Sequence, residues 1–258
     1  MINQLCVLVN NTLPNILTKI SDDNWYHQRG LYINPIKYYT MSSLLLDIYH
    51  KMLDAYGPQY WWPAESKFEM MVGAVLVQRT KWRNVERAIE KLRSSGLLDL
   101  KRMRTQSVER LTTYIHSCGF FQTKARQLNA LCAYFSRHDD DVSRMRDISS
   151  TLREELESVR GIGPETADAI MLYAVGLPTF VVDTYTRRIF DRLGEPSATA
   201  PYPVFRSWLL AGVKADAKIL GEYHALLVCH DREICTKRMP DCGACSLCDF
   251  FPSASKSF

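Results

Sequence analysis

"VRGIGPETADAI" spans residues 159–170, and its reading decides the fold. A helical period in "TLREELESV" (151–159) runs into it. Gly161 and Gly163 can take a positive φ or admit another backbone closely. Pro164 suits the first turn of a helix, where its missing N–H costs nothing. Beyond it, Ala167, Ile170, Met171 and Ala174 recur at helical spacing. The letters spell helix, two-glycine hairpin, helix. The amides of Gly161, Ile162 and Gly163, with those of the helix start, form a candidate nest of N–H groups for an anion such as a DNA phosphate. An ordinary turn with a glycine C-cap fits the same letters, so the flanking sequence must decide.

The helical period extends in both directions. In "KWRNVERAIEKL", Val85, Ala88, Ile89 and Leu92 share one face. In "TKARQLNALCAYF", Ala125, Leu128, Leu131, Cys132 and Phe135 do the same. Ser66 with Glu69 fits a capping box opening "SKFEMMVGAVLVQ". Only "PTFVVD" (178–183) looks strand-like, and it is short and isolated. The sequence therefore predicts an all-α protein of about ten helices. Residues 1–40 carry Pro14, Gly30 and Pro35 and no sustained period, so they read as a poorly integrated N-terminal extension. A helical domain follows at 41–228, with the hairpin at 151–175, and a cysteine-bearing loop and tail at 229–258.

Bulk composition sets limits. The 258 residues are 47% hydrophobic, enough for a real core. The net charge of +4 permits a nucleic-acid partner without arguing for one. No run approaches the ~18–20 apolar residues of a membrane span. The opening "MINQLCVLVNN" has no positive start and no long apolar run, so no secretory leader is expected. The reduced cytoplasm, at the nucleoid in a bacterium, is the expected compartment. Four of the eight cysteines, Cys235, Cys242, Cys245 and Cys248, crowd together, which reads as a metal site and not a disulfide framework.

After the hairpin comes "GLPTFVVDTYTRRIFDRLG" (176–194). Asp183 stands where an extended run meets a helix, as an N-cap that accepts backbone N–H bonds and stays ionised. With "FEMMVGAVLVQRTKWRNV" (68–85), "GFFQTKARQL" (119–128) and "CHDREICTKRMPDCGAC" (229–245), these motifs resemble the helix-hairpin-helix (HhH-GPD) DNA glycosylases of the endonuclease III superfamily over residues 42–250. The resemblance implies a two-lobed helical fold with a C-terminal iron–sulfur loop. It makes Asp183 the catalytic aspartate, a carboxylate that stabilises an oxocarbenium-like sugar. As a cap alone, Asp183 would have a purely structural role.

In bifunctional members a lysine after the hairpin forms a Schiff base; here that slot holds Glu165, which cannot. The resemblance therefore implies a monofunctional glycosylase leaving an abasic site. Alternatives are a glycosylase/lyase acting on oxidised pyrimidines through Lys81 or Lys124, and a non-enzymatic DNA-binding protein. Glu165 lines the pocket or merely favours its helix N-terminus. "QYWWPAE" and the aromatic at Trp82 are similar to the 3-methyladenine glycosylase branch, which implies stacking of a cationic alkylated purine on Trp61, Trp62 and Trp82. The same tryptophans also suit a core.

DNA contacts are implied at Gln78, as a wedge beside a flipped base, and at Lys124, Gly161, Ile162, Gly163 and Thr166. Arg126, Arg187 and Arg188 are further candidates for phosphates; a solvated charged face is their bland reading. Cys235, Cys242, Cys245 and Cys248 match the [4Fe–4S] ligands, except that the last gap is two residues where the family has five; structural zinc is the runner-up. The expected partner is double-stranded DNA with a damaged base, bound by a monomer.

Overall fold

The computed structural model describes residues 41–194 and 199–250. The expected extension at 1–40 lies outside them, as does the end of the tail. The described residues are helical and contain no strand. The helices run α1 Met41–Tyr56, α2 Lys67–Leu76, α3 Trp82–Ser94, α4 Leu100–Arg104, α5 Val108–Ile115 and α6 Phe121–Ser136. They continue with α7 Leu152–Ser158, α8 Pro164–Ala169, α9 Thr184–Leu193, α10 Tyr202–Gly212 and α11 Ala217–Glu233. α8 passes directly into a π-helical stretch, Ile170–Val175.

The helices sort into two lobes. In one, α2 to α8 pack on each other; in the other, α1 packs on α10 and α11, and α9 on α11. The π-helical stretch touches α2 on one side and α11 on the other. The apolar stripes are those the spacing predicts. α3 buries Val85, Ala88, Ile89 and Leu92. α6 buries Ala125, Leu128, Leu131, Cys132 and Phe135. Each large apolar side chain so buried contributes about 1.5–3 kcal/mol.

Two local expectations change. Ser66 does cap α2, accepting from Glu69 N at 3.1 Å. The Glu69 carboxylate does not reach back to complete the box; it is buried and bonds Arg93 Nη2 at 2.7 Å. The second change concerns 178–183, which is no strand. Phe180, Val181 and Val182 are buried all the same, which is why a β-branched run reads as a strand. What holds the segment is a buried polar cluster. Asp168 of α8 is fully buried and accepts from Arg153 Nη2, Thr179 Oγ1 and Tyr202 OH, with Arg206 at 3.6 Å. These bonds tie α7, α8, the extended segment and α10 to one carboxylate, and the segment ends at Asp183.

Candidate active site and DNA-facing hairpin

The hairpin is clamped from behind. α2 ends at Val77, and the Gln78 amide that follows donates to Gly161 O and Thr166 Oγ1, both at 3.1 Å. Gln127 of α6 donates to Gly161 O and Gln78 Oε1, both at 3.3 Å. Gly161 has φ +84°, and a Cβ there would lie 2.2 Å from Gln127 Nε2. Glycine is thus required twice over at 161. Gly163 differs: it is exposed and extended (φ −93°, ψ 177°), with open space where a side chain would go.

Several expected DNA contacts are corrected. The Ile162 amide does not face outward; it donates to Val159 O at 3.0 Å while the side chain is buried as the hairpin's apolar anchor. The Thr166 side chain is buried and occupied by Gln78. Lys124 is 2% exposed, its ammonium donating to Leu76 O at 3.0 Å and Cys118 O at 2.8 Å. It satisfies an end carbonyl of α2, and burial lowers its pKa. Arg187 donates to Ala200 O at 2.8 Å and lies over the Phe205 ring. Arg188 forks onto both oxygens of Asp231. Arg126 and Lys81 are exposed.

Three residues on this face escaped the sequence reading. Phe120 is 64% exposed with φ +46°, just ahead of α6. Its neighbour Phe121 stacks on His116 at 4.5 Å, and nothing in "GFF" says which aromatic turns outward. Arg79 is exposed with φ +54°, directly after Gln78. Arg160 is exposed at the entry to the hairpin.

Asp183 caps α9 as the letters predict: Oδ1 accepts from Thr186 N at 2.7 Å. The residue is 9% exposed. Burial pushes its carboxyl up, but His224 and the Thr186 bonds more than offset this, and it stays below the usual range. His224 of α11 sets Nε2 3.3 Å from Asp183 Oδ2. Glu165 stands at the start of α8, within the field of Asp183, His224 and Arg187. Solvent reaches it, yet the surrounding protein and then the Asp183 charge push its carboxyl up to about 7. Two carboxyl groups on facing elements are thus driven apart in acidity.

Trp61, Trp62 and Trp82 form one half-buried cluster, ring centroids 5.0–5.3 Å apart, and Trp62 meets Tyr173 at 5.6 Å. Tyr173 in turn meets the His224 ring at 5.8 Å. A cavity of about 330 Å³ lies against Trp62 and Trp82, bounded by Pro63, Gly73 and Glu69. Neither Asp183 nor Glu165 lines it; ring contacts lead from Trp62 through Tyr173 to His224, beside Asp183.

In the cysteine loop, Cys235 and Cys245 are buried, Cys248 is half-buried and Cys242 exposed. Burial, with the charges of the other three sulfurs, pushes the Cys245 thiol up to about 11. Arg192 donates to Cys235 Sγ at 3.0 Å. Among the described residues no group of three or more candidate ligands stands at metal-holding spacing, and no helix is long and apolar enough to cross a membrane.

This architecture, a glycine hairpin beside a helix-capping aspartate at the junction of two helical lobes, has known counterparts. Residues 72–207 match the HhH-GPD superfamily of base excision DNA repair proteins. A putative DNA repair glycosylase of Methanocaldococcus jannaschii is 38% identical over 213 residues, covering 81% of this chain and 94% of that one. Endonuclease III of Haemophilus influenzae is 29% identical over 194 residues, covering 72% of this chain and 84% of its own. The chain belongs to the HhH-GPD superfamily. Its fold is also that of the Helicobacter pylori 3-methyladenine DNA glycosylase bound to 1,N6-ethenoadenine (TM-score 0.66, 24% identity, 76% of this chain and 98% of that one). A non-covalent endonuclease III–DNA complex shares it as well (TM-score 0.72, 21% identity, 84% of this chain and 98% of that one).

The two hairpin glycines should respond differently to substitution. Gly161→Ala meets both a left-handed backbone and Gln127, and should cost at least about 1–2 kcal/mol, lowering Tm by a few degrees. Gly163→Ala should leave Tm unchanged. Glu165 gives a pH signature. Its folded value lies above its ordinary one, so the fold disfavours the carboxylate and loses stability as pH rises through about 7. Solvent screening reduces the size of this effect. Glu165→Gln should therefore gain in Tm on wild type between about pH 5 and about pH 8.

Proposed function

We propose that this chain is a monofunctional DNA glycosylase that hydrolyses the N-glycosidic bond of a flipped, alkylated purine. The observation that carries this is the carboxyl pair: an ionised, buried Asp183 faced by Glu165 in the slot where lyase relatives keep an amine. As the C1′–N bond breaks, the base leaves with the bonding electrons and positive charge grows on the sugar. Asp183 supplies fixed negative charge beside it. Water adds to C1′ and gives up a proton, and an abasic site remains. The lyase reading needs a free amine, and Lys124 has committed its own to two carbonyls.

The purine preference rests on the three-indole cluster and on likeness to a glycosylase described as acting on 3-methyladenine. Electron-poor, cationic rings are attracted to indole faces. The partner is double-stranded DNA, bound by a monomer in the cytoplasm. Gln78, which touches the hairpin, and the exposed Phe120, Arg79 and Arg126 are its candidate contacts, and Gly163 leaves the backbone open to a phosphate. Gln78 must leave Gly161 O and Thr166 to act as a wedge.

Cys235, Cys242, Cys245 and Cys248 are the residues that would hold a [4Fe–4S] cluster. The chemistry fits: Cys235, Cys242 and Cys248 lie close enough for their charges to act on the Cys245 thiol, and a guanidinium N–H aimed at Cys235 Sγ favours a thiolate. Bound there, the cluster would brace the loop.

The wild-type protein should release 3-methyladenine from methylated duplex DNA, with strands intact until alkali is added. Asp183→Asn should slow release by roughly 10²–10³-fold. Borohydride should trap no adduct; a trapped one overturns the monofunctional reading. The anaerobically purified protein should carry iron with inorganic sulfide. Zinc without sulfide would replace the cluster with a structural zinc site.

A further inference from the structure

His230 of α11 is fully buried, and the reaction proposed for Asp183 makes no use of it. Its ring lies between α1 and the cysteine loop. Nδ1 is 2.7 Å from the hydroxyl of Tyr56, the last residue of α1, and Nε2 is 3.6 Å from Cys245 Sγ. The Tyr56 and His230 rings meet edge-on, centroids 5.8 Å apart. The His230 carbonyl accepts from the amides of Ile234 and Cys235, at 3.0 and 2.9 Å. One residue thus fixes the backbone at the first cysteine of the loop and touches the sulfur of the third.

The direction of these bonds depends on what Cys245 carries. A thiol there can donate to a bare Nε2, with the ring's hydrogen on Nδ1. A metal-bound sulfur is a thiolate, which has no hydrogen and can only accept. A bare Nε2 would then set its lone pair against a negatively charged sulfur in a buried place. A neutral ring avoids this. Tyr56 donates to Nδ1, the hydrogen sits on Nε2, and it is aimed at Cys245 Sγ. Both contacts of the ring are satisfied in this form.

We propose that His230 is a positioning residue of the cysteine site: its Nε2–H donates to Cys245 Sγ when that sulfur binds metal, and Tyr56 holds the ring in place. This rests on the reading of Cys235, Cys242, Cys245 and Cys248 as metal ligands. Outer partners of this kind orient a ligand and tune the metal. The bond disperses the negative charge of one thiolate, as the Arg192 guanidinium does at Cys235 Sγ. Hydrogen bonds to sulfur raise the reduction potential of an iron–sulfur cluster, because the reduced form carries more charge on its sulfurs. The Tyr56 contact also joins the ligand to α1, from which Lys51 reaches Asp249 Oδ2 at 2.7 Å at the far end of the loop.

Metal analysis of the full-length protein, purified anaerobically, comes first. Neither iron nor zinc overturns the ligand reading and the proposal with it. His230→Leu removes both ring nitrogens at similar volume, and His230→Gln returns an N–H at about the reach of Nε2. Both should keep the wild-type metal content, because His230 is a donor and not a ligand. Metal transfer to a chelator should be roughly 10–100-fold faster in His230→Leu, and His230→Gln should recover most of that difference. In iron-loaded protein the midpoint potential of His230→Leu should fall, and that of His230→Gln should return toward wild type. Unchanged transfer and potential in His230→Leu overturn the proposal and leave the ligand reading standing. A His230→Leu protein that folds without metal also overturns it, since His230 would then be a ligand itself. Should the His230 variants not fold, Tyr56→Phe keeps the imidazole and removes the hydroxyl that holds it. Metal transfer should then be faster than in wild type, and an unchanged rate overturns the proposal.

Discussion

One buried carboxylate sets the distance between the glycine hairpin and the candidate catalytic aspartate. Asp168 is the fifth residue of α8, the helix that leaves the hairpin, and is fully buried. Its oxygens gather Arg153 from the helix before the hairpin, Thr179 from the segment leading to Asp183, and Tyr202 from α10. A buried ion pair gives little net stability but is costly to break from one side. Its effect is geometric. The two helices of the hairpin and the segment ending at Asp183 cannot move independently while those bonds persist. A hairpin anchored on a phosphate would therefore hold Asp183 at a fixed offset from the backbone, which selects one sugar.

The same economy shows in Asp183 itself. An N-cap is a local device that accepts the otherwise unpaired amide two or three residues on. Here that bond also prepays the orientation of a carboxylate. A helix start is a suitable place for the task, because its amides favour the ionised form without any mobile cation.

These local devices explain what was legible in the sequence. The stripes of α3 and α6, the turn at Gly161 and the cap at Asp183 all follow from neighbours within a few residues. The misreadings share the opposite property. Lys124 looks like any helix-surface lysine, but it is buried by carbonyls six and 48 residues away. Arg187 and Arg188 read as free cations, and their partners lie 13 and 43 residues off. Gly161 and Gly163 are open to the same two uses in the sequence because the letter is the same, although only Gly161 takes a positive φ and meets another side chain. His224 carried no signal at all, since Asp183 is 41 residues from it. "PTFVVD" has strand composition because it is buried, and burial is what β-propensity mostly measures.

The charge balance around Asp183 gives the glutamate at 165 a physical consequence. An ammonium in that slot would itself neutralise Asp183, and no other cation would be needed beside it. A carboxyl group there has the reverse effect: it adds a like charge, and the Asp183 field pushes it toward its protonated form. Against that, the His224 ring and the Thr186 bonds hold the Asp183 carboxyl below its usual range. His224 stands on α11, where one ring nitrogen faces Asp183 and the other meets the Tyr173 hydroxyl. The carboxyl at 165 and the histidine behind Asp183 thus act on one charge in opposite directions. A lysine at 165 would act on Asp183 in the same direction as His224, and that opposition would be lost.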